Sequence, residues 1–162
     1  MKAIPIRNIF KELAKIGADV IRYVGIFHVA TNYGVNLTYC VGPSMVPTIS
    51  EKGNLVLIDT FSYRVMNKPY KTGDVVICTC PNDAGKQVCK RIGAVAGDKV
   101  NLKYNRSHLE TITVPQGHVW LAGDNKANST DSRSYGPVPL GLCKGRVFYK
   151  MGFRDMSFEK VK

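Results

Sequence analysis

Residues 74–98 read DVVICTCPNDAGKQVCKRIGAVAGD. Two short apolar runs, 74–80 and 88–95, flank a turn-rich stretch that holds Pro81 and Gly85, and Gly97-Asp98 closes the second run. Runs this short, rich in Val and Ile and bounded by turn residues, predict β-strands rather than helices. The same texture continues outward, with strands predicted over 54–59, 99–104, 111–114, 118–122 and 146–150. Gly53, Gly73, Pro115, Gly117, Gly123 and Gly145 mark their edges. Strands at this spacing, with few helical patterns among them, predict a mainly β barrel or sandwich. At 162 residues the chain suffices for one domain with a real core.

The amino-terminal part has a different texture. Lys2, Arg7, Lys11, Lys15 and Arg22 stand against only Glu12 and Asp19, and no Lys, Arg, Asp or Glu then occurs from Tyr23 to Ser50. As a helix, residues 23–41 would be about 28 Å long, near the ~30 Å hydrocarbon core of a bilayer. His28, Thr31, Asn32, Asn36 and Thr38 interrupt the stretch. Two readings follow: a single membrane anchor, or an amphipathic helix buried against a partner. The anchor is favoured, which divides the chain into residues 1–41, a basic flank and anchor helix, and residues 42–162, a β-rich domain. The basic flank would stay on the cytoplasmic or matrix side, with the rest translocated.

The formal net charge is +11. Nucleic-acid binding would use such charge, but no zinc-finger spacing, aromatic RNP-like motif or arginine-rich run accompanies it. Attraction to an anionic membrane surface needs none of these. The five cysteines, Cys40, Cys78, Cys80, Cys89 and Cys143, form no Cys-x-x-Cys, and no histidine stands at ligand spacing from them. They read as buried free thiols, with an unassigned disulfide as the alternative, and no metal or cofactor is implied.

A search for a nucleophile gives no Gly-x-Ser-x-Gly elbow and no His-Glu-x-x-His. His28, His108 and His118 have structural readings, and Ser157-x-x-Lys160 is an accidental match, because Lys71-Thr72-Gly73 stands in the reversed order and no Ser-Asp-Asn joins them. There remains a serine in a stiff loop, Gly42-Pro43-Ser44-Met45-Val46-Pro47-Thr48, whose two prolines restrict the backbone on either side. A plain surface turn would look the same. A serine without histidine needs another base. A lysine near its reference pKa of 10.4 is neutral in roughly one molecule in 2,500 at pH 7, and desolvation lowers that pKa by up to ~3–5. Lys90 lies in an apolar strand, where it and Arg91 point to opposite faces. A strand edge with two solvated cations is the competing reading.

Three blocks, in order, resemble the type I signal peptidase family of serine–lysine peptidases, most closely its mitochondrial inner-membrane branch. Residues 42–48 resemble the box of the nucleophile. Residues 89–98, CKRIGAVAGD, resemble the box of the lysine, and residues 123–138, GDNKANSTDSRSYGPV, resemble the last and longest box. The resemblance implies a signal-peptidase-like β catalytic domain with an N-terminal helical anchor. It implies Ser44 as nucleophile and Lys90 as general base, with Ser129 orienting the lysine. Asp131 and Arg133 would pair beneath the site, Met45 follows the nucleophile, and Gly123, Asp124 and Asn125 would shape the supporting loop. The Ser44 N–H would serve the oxyanion, because Pro43 has none. Gly42 stands where many bacterial relatives carry a second hydroxyl donor.

The resemblance further implies removal of sorting sequences from precursor polypeptides at the mitochondrial inner membrane, with the catalytic domain facing the intermembrane space. Lipid and a second homologous protease subunit, as a heterodimer, would be partners, and nucleic acid would not. A bacterial-type signal peptidase of a plasma membrane and a Ser–Lys self-cleaving regulator are the alternatives.

Overall fold

The computed structural model describes residues 6–105, 108–152 and 157–161. A long helix α1 (Ile6–Tyr33) leads into strand β1 (Val35–Cys40), followed by β2 (Asn54–Asp59), a helical turn α2 (Phe61–Arg64), β3 (Val75–Cys80) and β4 (Asp83–Val95). Strands β5 (Lys99–Asn105), β6 (His108–Thr113) and β7 (His118–Ala122) come next. A helical turn α3 (Ser132–Tyr135) precedes β8 (Val138–Pro139), β9 (Cys143–Gly152) and β10 (Phe158–Lys160).

The main sheet runs β1-β2-β9-β3-β4-β7-β8, with β10 on β9, and β5 pairs β6 as a separate ribbon. The fold is therefore mainly β, but the sheet is open, with β1 and β8 at its ends, where the sequence predicted a closed barrel or a sandwich. Pairing partners far apart in sequence decide this. β9 sits between β2 and β3, so the last long strand is inserted among the first ones. Met45, Ile49, Val56, Ile77 and Val147 form one buried cluster under the loop that holds Ser44. Val76, Ile92, Val119 and Leu121 belong to a second, on the far side of β3 and β4. Neighbours Val76 and Ile77 thus feed opposite faces, and β3 is buried on both.

The reading of residues 23–41 as one anchor helix is corrected. The helix ends at Tyr33, Gly34 follows, and Val35–Cys40 pairs with β2 in register Val35↔Asp59 to Cys40↔Asn54. Alternation explains the switch: Asn36, Thr38 and Cys40 turn inward, while Val35, Leu37 and Tyr39 are exposed. Only residues 23–33 of α1 lack charge, about 16 Å of helix, or half a bilayer core. Among the described residues, no helix is long and apolar enough to cross a membrane.

Candidate active site

Ser44 lies in a short 3₁₀ turn, Pro43–Met45, between β1 and β2. Pro43 supplies a φ suited to the first position of such a turn and has no N–H to leave unpaired. The Met45 side chain, 2% exposed, anchors the turn in the core. Gly42 enters it at φ +118°, in a region that disfavours any side chain, and its N–H donates to the Glu51 carbonyl (3.2 Å).

Lys90 arrives from β4. Its side chain is 4% exposed and lines, with Ser44, Gly42 and Met45, a cleft of about 220 Å³. Burial pushes the ammonium below its ordinary pKa; Asp131 pulls the other way, and the net direction is downward. The carboxylates of this region are committed elsewhere. Asp124 takes both Arg91 nitrogens, Nε on Oδ1 and Nη2 on Oδ2, each at 2.8 Å. Asp131 takes Arg133 in the same way, at 2.8 and 2.9 Å.

Asp131 is fully buried. Burial alone would raise its pKa, but donation from the Arg133 side chain, the Gly123 and Arg133 N–H groups and the Ser129 hydroxyl outweighs it and holds the carboxyl down to about 2. Ser129 thus gives its proton to Asp131 (2.8 Å), and no hydrogen bond joins it to Lys90. The lone pairs of its oxygen remain as acceptors. Gly123 must be glycine for space: an added Cβ would strike the Ser129 side chain and lie 2.7 Å from the Ser44 carbonyl oxygen. That same oxygen accepts the Asn125 N–H at 3.0 Å, which ties the Ser44 turn to the loop after β7.

Strand alternation places Lys90 in the cleft and Arg91 on the opposite face, but Arg91 is not simply solvated. It is clamped to Asp124, to the Gly73 carbonyl (2.7 Å) and to the Thr48 hydroxyl (3.2 Å), and Thr48 in turn donates to Asp124. Sequence reasoning gave Asp124 only a loop-shaping part and missed Thr48. The signal was an arginine whose strand parity denied it the cleft. It also passed over Cys40 and Cys89, which line the cleft beside Ser44.

A shared cleft, a buried lysine that forms no ion pair among the described residues and a supporting carboxylate suit proton abstraction from a hydroxyl. The family profile described as "Signal peptidase, peptidase S26" matches residues 13–107 and 103–151. Mitochondrial inner membrane protease subunit 1 of Mus musculus is 38% identical over 94% of this chain and 92% of its own. The protein of the same name from Schizosaccharomyces pombe is 40% identical over 85% of this chain and 86% of its own. A solved signal peptidase I from Enterococcus faecalis aligns with 49% of this chain and 97% of its own, at 21% identity and a TM-score of 0.42. The chain belongs to the signal peptidase, peptidase S26, family.

Proposed function

We propose that this serine peptidase of the mitochondrial inner membrane cleaves sorting sequences from precursor polypeptides, with Ser44 as nucleophile and Lys90 as base. The observation that carries the reading is the burial of Lys90, without a paired carboxylate, in the cleft that Ser44 also lines. Lys90 in its neutral form takes the Ser44 Oγ proton as the oxygen attacks the scissile carbonyl. The Ser44 N–H faces the oxyanion, and Lys90 returns the proton to the leaving amine. Water, deprotonated by the same amine, then releases the acyl group from Ser44. Ser129 acts as an acceptor that orients the lysine, while Asp131 and Arg133 hold Ser129 in place. Gly42 offers no hydroxyl, so the oxyanion relies on backbone donors.

The substrate binds as an extended strand between the edges of β1 and β4. Residues 38–41 and 87–90 flank the cleft, and β4 up to Lys90 pairs only with β3. A cleft of about 220 Å³ suits small side chains just before the cut. Residues 1–41 form the membrane-attached part and residues 42–162 the peptidase domain, which faces the intermembrane space. Exposed Leu13, Ile16, Val20, Val24 and Phe27 on α1, with Val35, Leu37 and Tyr39 on β1, support contact with lipid. The name "subunit 1" of the relatives supports a second homologous protease subunit as partner.

Amino-terminal sequencing of precursors that accumulate in cells carrying only Ser44→Ala tests the reading. Intact sorting sequences on inner-membrane proteins are the expected result, and normal processing would refute it.

A further inference from the structure

Cys40 ends β1 and Cys89 lies in β4, yet β2, β9 and β3 separate the two strands along the sheet. Both side chains nevertheless pack on the core cluster of Met45 and Ile77 and line the cleft of Ser44 and Lys90. Each thiol is the strongest influence on the titration of the other. Side chains on strands that share no ladder line one cleft here because the sheet brings the β1 edge round towards β4. The two residues therefore stand on opposite walls of the cleft that a bound strand would occupy.

We infer that Cys40 and Cys89 form a redox-active pair that a small-molecule disulfide oxidises to a cross-cleft disulfide, shutting out the substrate. The inference rests on the peptidase reading of the same cleft. In the first step the Cys40 thiolate attacks one sulfur of the reagent RSSR, forming a Cys40–SR mixed disulfide and releasing RS⁻. The Cys89 thiolate then attacks the Cys40 sulfur and expels the second RS⁻. The protons lost by the two cysteines end on two RSH molecules; the protein dithiol is oxidised and RSSR is reduced. The order of attack follows the direction in which each thiol shifts the other, Cys40 downward and Cys89, which burial also raises, upward.

A second pair, Cys78 and Cys143, brings its sulfurs within 2.9 Å, but these residues are 0% and 3% exposed. A reagent reaches them only when the core opens, whereas Cys40 and Cys89 are both partly exposed. A Cys40–Cys89 bond would tie the β1 edge to β4 one residue before Lys90, and no strand could enter between them.

The test uses the full chain in detergent, treated with oxidised glutathione, alkylated and mapped by mass spectrometry before reduction. A Cys40–Cys89 crosslink is expected, with a loss of precursor cleavage that tracks the crosslinked fraction and reverses with dithiothreitol. Cys40→Ser and Cys89→Ser should each lack the crosslink, and the ratio of treated to untreated activity should rise to one. Cys78→Ser should behave as the parent does. A crosslink mapped only to Cys78–Cys143, glutathione adducts without a crosslink, or a crosslink without loss of cleavage would overturn the inference. The crosslink is read without substrate, so its absence leaves the peptidase reading intact. Failure of the untreated protein to cleave precursors counts against that reading instead.

Discussion

In the proposed mechanism Lys90 carries the chemistry because it is costly to charge where it sits. Its folded pKa is lowered from an ordinary 10.5, so the unfolded chain holds the proton more tightly. Stability contributed at this position rises as pH climbs from the lowered value to 10.5. Lys90→Met should therefore abolish cleavage while leaving the thermal midpoint at neutral pH unchanged or higher. Lys90→Arg should also be inactive, because a guanidinium keeps its proton. In the wild type, cleavage should fall towards acid pH along one titration limb, with its midpoint below 10.5. Asp131 has the opposite sign. Its carboxyl sits at about 2 against an ordinary 3.8, so its contribution is complete above 3.8 and lost as pH falls towards 2. That gap corresponds to about 2 kcal/mol. Asp131→Ala, which leaves the Gly123 N–H and the Ser129 hydroxyl without their acceptor, should lower urea stability by about 3 kcal/mol and remove activity. The face of Lys90 was legible in the strand alternation. The Arg91 clamp was not, because Asp124 comes 33 residues later and only the β4–β7 ladder brings it near.

Among the elements, the Ser44 turn and the loop after β7 that bonds to it depend on two glycines for different reasons. Gly42 has space for a Cβ but stands at φ +118°, while Gly123 has no space at all. Gly42→Ser should weaken cleavage through strain in the nucleophile turn despite the added hydroxyl. Gly123→Ala should cost roughly 1–3 kcal/mol through overpacking and displace Ser129. Steady-state cleavage beside denaturant melts of each variant checks both, and a more active Gly42→Ser would contradict the first. Most strands were legible from apolar runs and turn residues. β1 escaped because absence of charge was read as lipid contact, while its alternation of Asn36, Thr38 and Cys40 with Val35, Leu37 and Tyr39 marks a strand. β8 and β10 are two and three residues long, too short to leave a pattern.

Across the whole molecule, a net charge of +11 and the exposed apolar side chains of α1 and β1 act together. Charge alone would give attachment that salt reverses, since ionic attraction to a surface is screened within about 8 Å at physiological ionic strength. Burial of apolar side chains is not screened. The full chain should therefore stay with sedimented membranes in high salt and be released by detergent; release by salt alone would contradict this. The mainly β class was legible, but the strand order was not, because β9 inserts between β2 and β3 from the far end of the sequence. The central claim remains that Ser44 is activated by a neutral Lys90. Its most direct measurement is cleavage of one precursor by the full-length wild type and by Lys90→Met, at equal folded concentration across a pH series. The account predicts cleavage by the wild type that rises with pH and none by Lys90→Met; near-wild-type cleavage by the variant would contradict it.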